Sequence, residues 1–179
     1  SFSVAKSFVS TLVGIAIAEG AIGSLDDPIT TYLPELAERD PRFAEITIRH
    51  LLLMSSGLDY QESGSFLFNG DDPLTTYHPD QRNLALTNIR IAGPPGESFR
   101  YNKYHPQLLG MILERTTGMS VSAWTQSRLW DPLGMEFDGA WTLDSEAAGF
   151  EKMEAGLNAR AIDFAKLGRL FLHEGEWDA

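Results

Sequence analysis

The first twenty residues, 1–20, constrain the fold more than any other stretch of this chain. Apolar side chains recur there at helical spacing, which predicts a helix with one apolar stripe. The stripe consists of Ala5, Phe8, Val9, Leu12, Val13, Ala16 and Ile17. The opposite face carries small side chains, namely Ser3, Ser7, Ser10, Thr11 and Gly14. A helix with these two faces is predicted to be buried in the middle of a domain rather than to lie on its surface.

Ser3 and Lys6 form a Ser-x-x-Lys pair at the start of this helix. Their spacing places the hydroxyl and the amine one turn apart on the same face. A serine hydroxyl is a weak nucleophile until a base takes its proton, and burial disfavours the charged form of a lysine, which favours Lys6 as that base. The positive end of the helix dipole would stabilise an oxyanion. The pair therefore indicates a nucleophile with its base; the alternative is a serine N-cap beside a lysine that extends to solvent.

Composition excludes several classes of function. The 179-residue chain has 14 basic and 25 acidic residues, a formal net charge of −11, so nucleic acid and anionic membranes are poor partners. Cysteine is absent, which excludes disulfides, zinc–thiolate sites and a thiol nucleophile. The apolar run from Leu12 to Ala18 is too short to span a bilayer, and the four histidines lack metal-ligand spacing. We therefore expect no metal, no other cofactor and no membrane span.

The remainder of the chain is predicted to be mostly helical, with little strand. Shorter helices are predicted over 29–33, from Thr47, within 80–91, from His105 to Gly118, and from Ser120 or Ser122 to a point before Pro132. Residues 57–80 are predicted to form a long loop, and Trp141 and Leu143 a short strand.

The clearest later helix is predicted over 158–173. Its expected inner face is Ile162, Ala165, Leu167 and Leu170, and its outer face is Asp163, Lys166 and Arg169. His173-Glu174-Gly175 is interpreted as the end of this helix. The absence of repeats and linkers predicts one domain over 1–179, and the abrupt ends suggest a chain that is truncated on both sides.

Tyr101 is the third candidate site residue. It follows the break Gly93-Pro94-Pro95-Gly96 and precedes a helix, which predicts a rigid turn. A tyrosine held beside a cation can carry a proton, whereas the alternative is an aromatic ring packed in the core.

Six segments repeat, in order and spacing, the pattern of a known family: Ser3 to Phe8, Ile46 to Leu58, Pro95 to Asn102, Leu108 to Gly110, Asp131 to Met135, and Gly156 to Gly168. This pattern resembles the penicillin-recognising serine hydrolases. It is most similar to their class C β-lactamase-related branch, which includes esterases, D-aminopeptidases, DD-peptidases and 6-aminohexanoate-dimer hydrolases. The resemblance implies an α+β, β-lactamase/penicillin-binding-protein-like fold, of which this chain is mostly the helical part.

The resemblance also implies roles for five residues. Ser3 matches the acylated nucleophile, Lys6 its activating partner, and Tyr101 the tyrosine of the Tyr-x-Asn motif. The asparagine of that motif falls at Lys103, with Asn102 one position early, so both are candidate substrate-binding residues. The lysine favours small esters or amides over β-lactams and peptides.

The sequence thus favours a serine hydrolase that forms an acyl-enzyme with a small-molecule ester or amide. Two alternatives stay open: a catalytically inert fragment or non-catalytic binding module of the same fold, and a β-lactamase or DD-peptidase. The oligomeric state and the compartment, bacterial cytoplasm or periplasm, are left undetermined by the sequence.

Overall fold

The computed structural model describes residues 1–61 and 71–177 of the chain. Within these ranges the α-helices are α1 (Ala5–Ala18), α2 (Pro34–Arg39), α3 (Ile48–Leu52), α4 (Asp72–Tyr77), α5 (Gln81–Asn88), α6 (Tyr104–Thr117), α7 (Val121–Thr125) and α8 (Ala161–Leu172). Short 3₁₀ turns cover Phe2–Val4, Ile29–Thr31 and Pro41–Glu45, and a π-helical segment, Gln126–Trp130, continues α7. Strands β1 (Ala140–Trp141) and β2 (Leu157–Asn158) pair antiparallel, with Ala140 opposite Asn158. The prediction of a mostly helical chain with little strand is confirmed.

Helix α1 lies against α6 in the core, as its apolar stripe predicts. Six stripe residues are at most 1% exposed: Ala5, Phe8, Val9, Leu12, Val13 and Ala16. The Phe8 ring packs edge-on against Phe164 of α8, with centroids 5.6 Å apart, and lies 6.3 Å from the Trp130 ring. Burial of these apolar surfaces fixes α1 in place and with it the Ser-x-x-Lys pair.

The small face of α1 is exposed, so the prediction that both faces would be buried is wrong for this chain. Ser7, Ser10 and Gly14 are all exposed, and a Cβ built at Gly14 would meet no atom within 4 Å. Small polar side chains offer little apolar area, so the apolar stripe alone provides the packing free energy.

Side-chain caps begin two of the helices at the expected positions. The Thr47 hydroxyl accepts a hydrogen bond from the His50 N–H at 3.3 Å and starts α3. The Ser120 hydroxyl accepts from the Ala123 N–H at 3.2 Å, which selects Ser120 over Ser122 as the cap of α7. Each cap satisfies an N–H group that would otherwise lack a partner.

Two short segments differ from their predictions. The predicted helix over 29–33 is a 3₁₀ turn, Ile29–Thr31. The predicted loop over 57–80 contains α4, so that prediction is wrong for Asp72–Tyr77, while 62–70 lie outside the described residues. Proline in the first turn of α4 favours a helix start, a signal that the loop-like composition obscures.

Helix α8 is present, but its inner face differs from the predicted one. Asp163 is fully buried, and its carboxylate accepts a hydrogen bond from the Glu136 N–H at 2.7 Å. Ile162 is 46% exposed and Ala165 is exposed, whereas Leu167 is buried as expected. The predicted orientation is wrong at three positions because hydrophobic periodicity takes no account of a polar side chain that turns inward to accept from a backbone N–H group.

His105 of α6 is buried and neutral. Its Nε2 lies 2.6 Å from the Ser56 hydroxyl, its Nδ1 lies 3.0 Å from the Met54 sulfur, and the residue is 1% exposed. Burial lowers the pKa of His105 from 6.5 to about 3. The unfolded chain therefore binds a proton that the folded chain excludes between those two pH values.

We expect acid to destabilise the protein through His105. Below pH 6.5 the free energy of unfolding should fall by up to about 1.4 kcal/mol per pH unit as the pH approaches 3. Urea unfolding of the wild type and of His105→Gln at pH 7 and pH 4.5 tests this, because the glutamine cannot be protonated. An equally steep loss of stability in His105→Gln would assign the acid sensitivity to other groups.

Candidate active site

Ser3, Lys6 and Tyr101 meet at the N-terminal end of α1. The Ser3 Oγ lies 2.6 Å from the Tyr101 hydroxyl, and the Lys6 Nζ donates a hydrogen bond to the same Oγ at 3.1 Å. Ser3 itself is exposed, on the 3₁₀ turn that precedes α1. The three residues that the sequence singles out as catalytic candidates are thus in direct contact, although 98 positions separate Ser3 from Tyr101.

Lys6 is held by three contacts rather than by helix geometry alone. Besides Ser3, its Nζ donates to the backbone carbonyl of Glu154 at 2.7 Å. The ammonium also lies 5.0 Å from the centroid of the Tyr101 ring, within the range of a cation–π contact. These contacts aim the amine at the Ser3 hydroxyl, where it can exchange a proton.

The segment before Tyr101 is anchored to the end of α3. The Gly96 N–H donates to the Ser55 carbonyl at 2.7 Å, and the Arg100 N–H donates to the Met54 carbonyl at 2.8 Å. Gly57 lets the segment after α3 approach the segment before Tyr101. It has a φ of +74°, and a Cβ there would lie 2.2 Å from the Gly93 carbonyl oxygen. The rigid turn predicted around Tyr101 therefore has a tertiary basis as well as a local one.

The two candidate substrate-binding residues lie in different environments. Asn102 is fully buried; its Oδ1 accepts from the Tyr104 N–H at 2.8 Å, and its Nδ2 has no hydrogen-bond partner among the described residues. Its contacts thus place it at the start of α6. The Lys103 Nζ lies 3.4 Å from the Thr76 hydroxyl, and Lys103 lines a cavity that also contains Ser3.

This cavity, the Ser3 cavity, has a volume of about 160 Å³. Its described lining residues are Phe2, Ser3, Thr76, Lys103, Thr142, Lys152, Glu154, Ala155 and Gly156. The lining residues within 152–156 were not among the site residues predicted from the sequence. Their one sequence signal is a pair of charges, Lys152 and Glu154, around the buried Met153. Only the fold brings that stretch next to Ser3.

Glu154 is the most unusual group in the cavity wall. The residue is 1% exposed, and neither carboxylate oxygen has a hydrogen-bond partner among the described residues. The Lys152 Nζ lies 3.9 Å from one of these oxygens. Burial raises the pKa of the Glu154 carboxyl, and the charges of Lys152, Lys6 and Lys103 oppose that shift only in part.

Residues 1–61 and 71–177 lack two further features, a metal-ion cluster and a membrane-spanning helix. No group of three or more His, Asp, Glu or Cys side chains there is arranged to hold a metal ion. Among the helices of the same ranges, none has the length and hydrophobicity that crossing a membrane requires.

The chain is similar in sequence to two known proteins and in structure to a third. It is 31% identical over 188 residues to the 6-aminohexanoate-dimer hydrolase of Paenarthrobacter ureafaciens, covering 97% of this chain and 45% of the relative. It is 31% identical over 157 residues to esterase EstB of Burkholderia gladioli, covering 80% and 38%. The crystal structure of a penicillin-binding protein from Bacillus halodurans superposes with a TM-score of 0.72 at 19% identity, covering 97% of this chain and 60% of that one.

The superposition confirms the predicted β-lactamase/penicillin-binding-protein-like fold. The chain spans less than half the length of either relative. A sequence profile described as Beta-lactamase matches residues 1–177, nearly the whole chain. The chain belongs to the Beta-lactamase family.

Proposed function

We propose that the protein is a serine hydrolase that forms an acyl-enzyme on Ser3 with small esters or amides. The observation that carries this proposal is the position of the Ser3 Oγ within hydrogen-bond reach of both the Tyr101 hydroxyl and the Lys6 Nζ. A serine with a base at that distance is an activated nucleophile. The family supports a serine hydrolase of the esterase, amidase or DD-peptidase type.

The reaction follows from these contacts in two steps. Lys6, with Tyr101 as a proton carrier, takes the Ser3 proton while the Oγ attacks the substrate carbonyl. The resulting oxyanion is stabilised at the positive end of the α1 dipole, and the leaving group departs with the proton returned to it. Water, deprotonated by the same pair, then hydrolyses the acyl-enzyme and restores Ser3.

The size of the Ser3 cavity favours a small substrate. Its volume of about 160 Å³ fits a short acyl group rather than a peptide chain. The two relatives are named as a 6-aminohexanoate-dimer hydrolase and as an esterase, names that refer to an amide-type dimer and to esters. Lys103, at the position of the family's asparagine, makes the β-lactamase and DD-peptidase alternative the second candidate.

Covalent labelling of the intact protein tests the proposal. Incubation with a fluorophosphonate probe should add one adduct to the protein mass, and peptide mapping should place it on Ser3. Ser7, one turn further along the exposed face of α1, is the internal control for nonspecific reactivity. Failure of the folded protein to label, or labelling of Ser7 to the same extent, would contradict an activated Ser3 and favour the inert alternative.

A further inference from the structure

The lysines of this chain are concentrated around the Ser3 cavity. The chain has four lysines among its 14 basic residues, against 25 acidic residues. Lys103 and Lys152 line the cavity wall, and Lys6 donates to the Ser3 Oγ at 3.1 Å. The fourth, Lys166, lies on α8 and is not among the described lining residues. The cavity therefore gathers positive charge in a chain whose formal net charge is −11.

Two of these lysines converge on one residue of the cavity wall, Thr76. The Lys152 Nζ donates to the Thr76 backbone carbonyl, and the Lys103 Nζ lies 3.4 Å from the Thr76 hydroxyl. They come from separate parts of the chain, Lys103 from the start of α6 and Lys152 from the segment before β2. Two cations held against one residue repel each other, and an anion bound beside both removes that repulsion.

Glu154 is the one acidic residue among the described lining residues of the cavity. Its carboxylate lies 3.9 Å from the Lys152 Nζ, beyond hydrogen-bond distance. Burial raises the pKa of the Glu154 carboxyl, which favours its neutral form. One carboxyl group of this kind offsets the two ammonium charges only in part.

The lysine pair also lies in the same cavity as the nucleophile. The proposed function places the acyl group of the substrate there. A volume of about 160 Å³ holds about five non-hydrogen atoms if each takes the roughly 30 Å³ of a liquid water molecule. An acyl chain of four or five carbons that starts at the Ser3 Oγ would therefore end at the cavity wall. Phe2, which lines the same cavity, offers an apolar surface to its methylene groups.

We propose that the Ser3 cavity selects acyl groups that end in a carboxylate, which Lys103 and Lys152 bind beside Thr76. This proposal rests on the proposed function and names its substrate class, the monoesters and monoamides of short dicarboxylic acids. The carboxylate accepts charge-assisted hydrogen bonds from the ammonium groups, and the Thr76 hydroxyl is a further donor. Binding at that end of the acyl chain holds the ester or amide carbonyl at Ser3.

Two esters of equal size separate the charge of the acyl group from its shape. Monoethyl glutarate carries the carboxylate, and ethyl glutaramate carries a neutral amide in its place. With the wild-type protein at pH 7, kcat/KM measured from ethanol release should be about tenfold higher for monoethyl glutarate, because its carboxylate lies between opposite charges. A ratio near or below one would overturn the proposal.

Lys103→Met and Lys152→Met show whether the two lysines cause this preference. Each should lower the ratio of the two kcat/KM values to about threefold or less, and the double variant should lower it to about one. The ratio is the informative quantity, since a purely structural defect lowers both values together. Lys166→Met, the matched control outside the cavity, should keep the wild-type ratio. An undiminished ratio in both Lys103→Met and Lys152→Met would overturn the proposal.

Binding without turnover separates this proposal from the proposed function. Ser3→Ala cannot be acylated, so a ¹³C-lysine sample of it reports binding alone through the ε-carbon signals, which Lys103→Met and Lys152→Met assign. Monoethyl glutarate should shift the Lys103 and Lys152 signals to saturation, and ethyl glutaramate should not. Equal shifts with both esters, or none with either, would overturn the proposal even if the wild type hydrolyses esters. The expected shifts in a protein that hydrolyses neither ester would contradict the proposed function alone.

Discussion

Replacing Lys6 with methionine is expected to lower kcat/KM for a short ester by about 10³-fold, within the range for loss of a general base. Methionine keeps the length and apolar part of the side chain, so the packing of α1 should persist. What disappears is the amine that donates to the Ser3 Oγ at 3.1 Å and to the Glu154 carbonyl at 2.7 Å. Initial rates measured on the intact protein, with Ser3→Ala as the background, give the effect.

Lys166→Met is the matched control for this substitution. Lys166 lies on α8, where its Nζ donates to the Gly134 carbonyl and pairs with Glu136 at 3.1 Å, away from the Ser3 cavity. The kcat/KM of Lys166→Met should stay within about twofold of wild type, since Lys166 does not line the Ser3 cavity and distant sites act independently. Retention of more than a tenth of wild-type activity in Lys6→Met would show that Lys6 is not the base.

The core of the candidate site could be predicted because local spacing and motif order carry it. Ser3 and Lys6 share one helical turn, so three positions of sequence suffice to place them together. The position of Tyr101 in the site was predicted from the order of motifs along the chain, since no periodicity links Tyr101 to α1. Their contacts of 2.6 and 3.1 Å agree with that prediction, while their catalytic roles stay predictions.

Glu154 could not be predicted as part of the site. Its carbonyl meets Lys6 across 148 positions of sequence, and such a contact depends on how the segment before β2 folds back over α1. A glutamate between apolar residues is most simply interpreted as a solvated side chain. Its burial follows from tertiary packing, which hydrophobic pattern alone does not specify.

The fold shows the same division between local and tertiary signals. The apolar stripe of α1 predicts its buried face because that face is continuous over four turns. In α8 the same reasoning failed at Asp163, since one hydrogen bond to the Glu136 N–H rotates a polar residue inward. Periodicity therefore predicted the helices better than it predicted which side chains the tertiary structure would bury.

Phe8→Ala is expected to reduce the free energy of unfolding by about 3–5 kcal/mol, the usual cost of deleting a buried aromatic ring. Phe8 is fully buried and joins α1 to two other parts of the core, through ring contacts with Phe164 and Trp130. The loss is a large part of the stability of a typical domain, about 5–15 kcal/mol. Urea unfolding followed by circular dichroism measures it.

Two further variants decide whether the cavity left by the Phe8 ring causes the loss of stability. Phe8→Leu keeps most of the apolar volume and should cost less than about 1.5 kcal/mol. Phe99→Ala removes a ring that is 71% exposed and should change stability by at most about 0.5 kcal/mol. Equal losses for Phe8→Ala and Phe99→Ala would contradict a core centred on α1. The expected order, by contrast, would show that the helix carrying Ser3 and Lys6 is held in place by the packing of its apolar face.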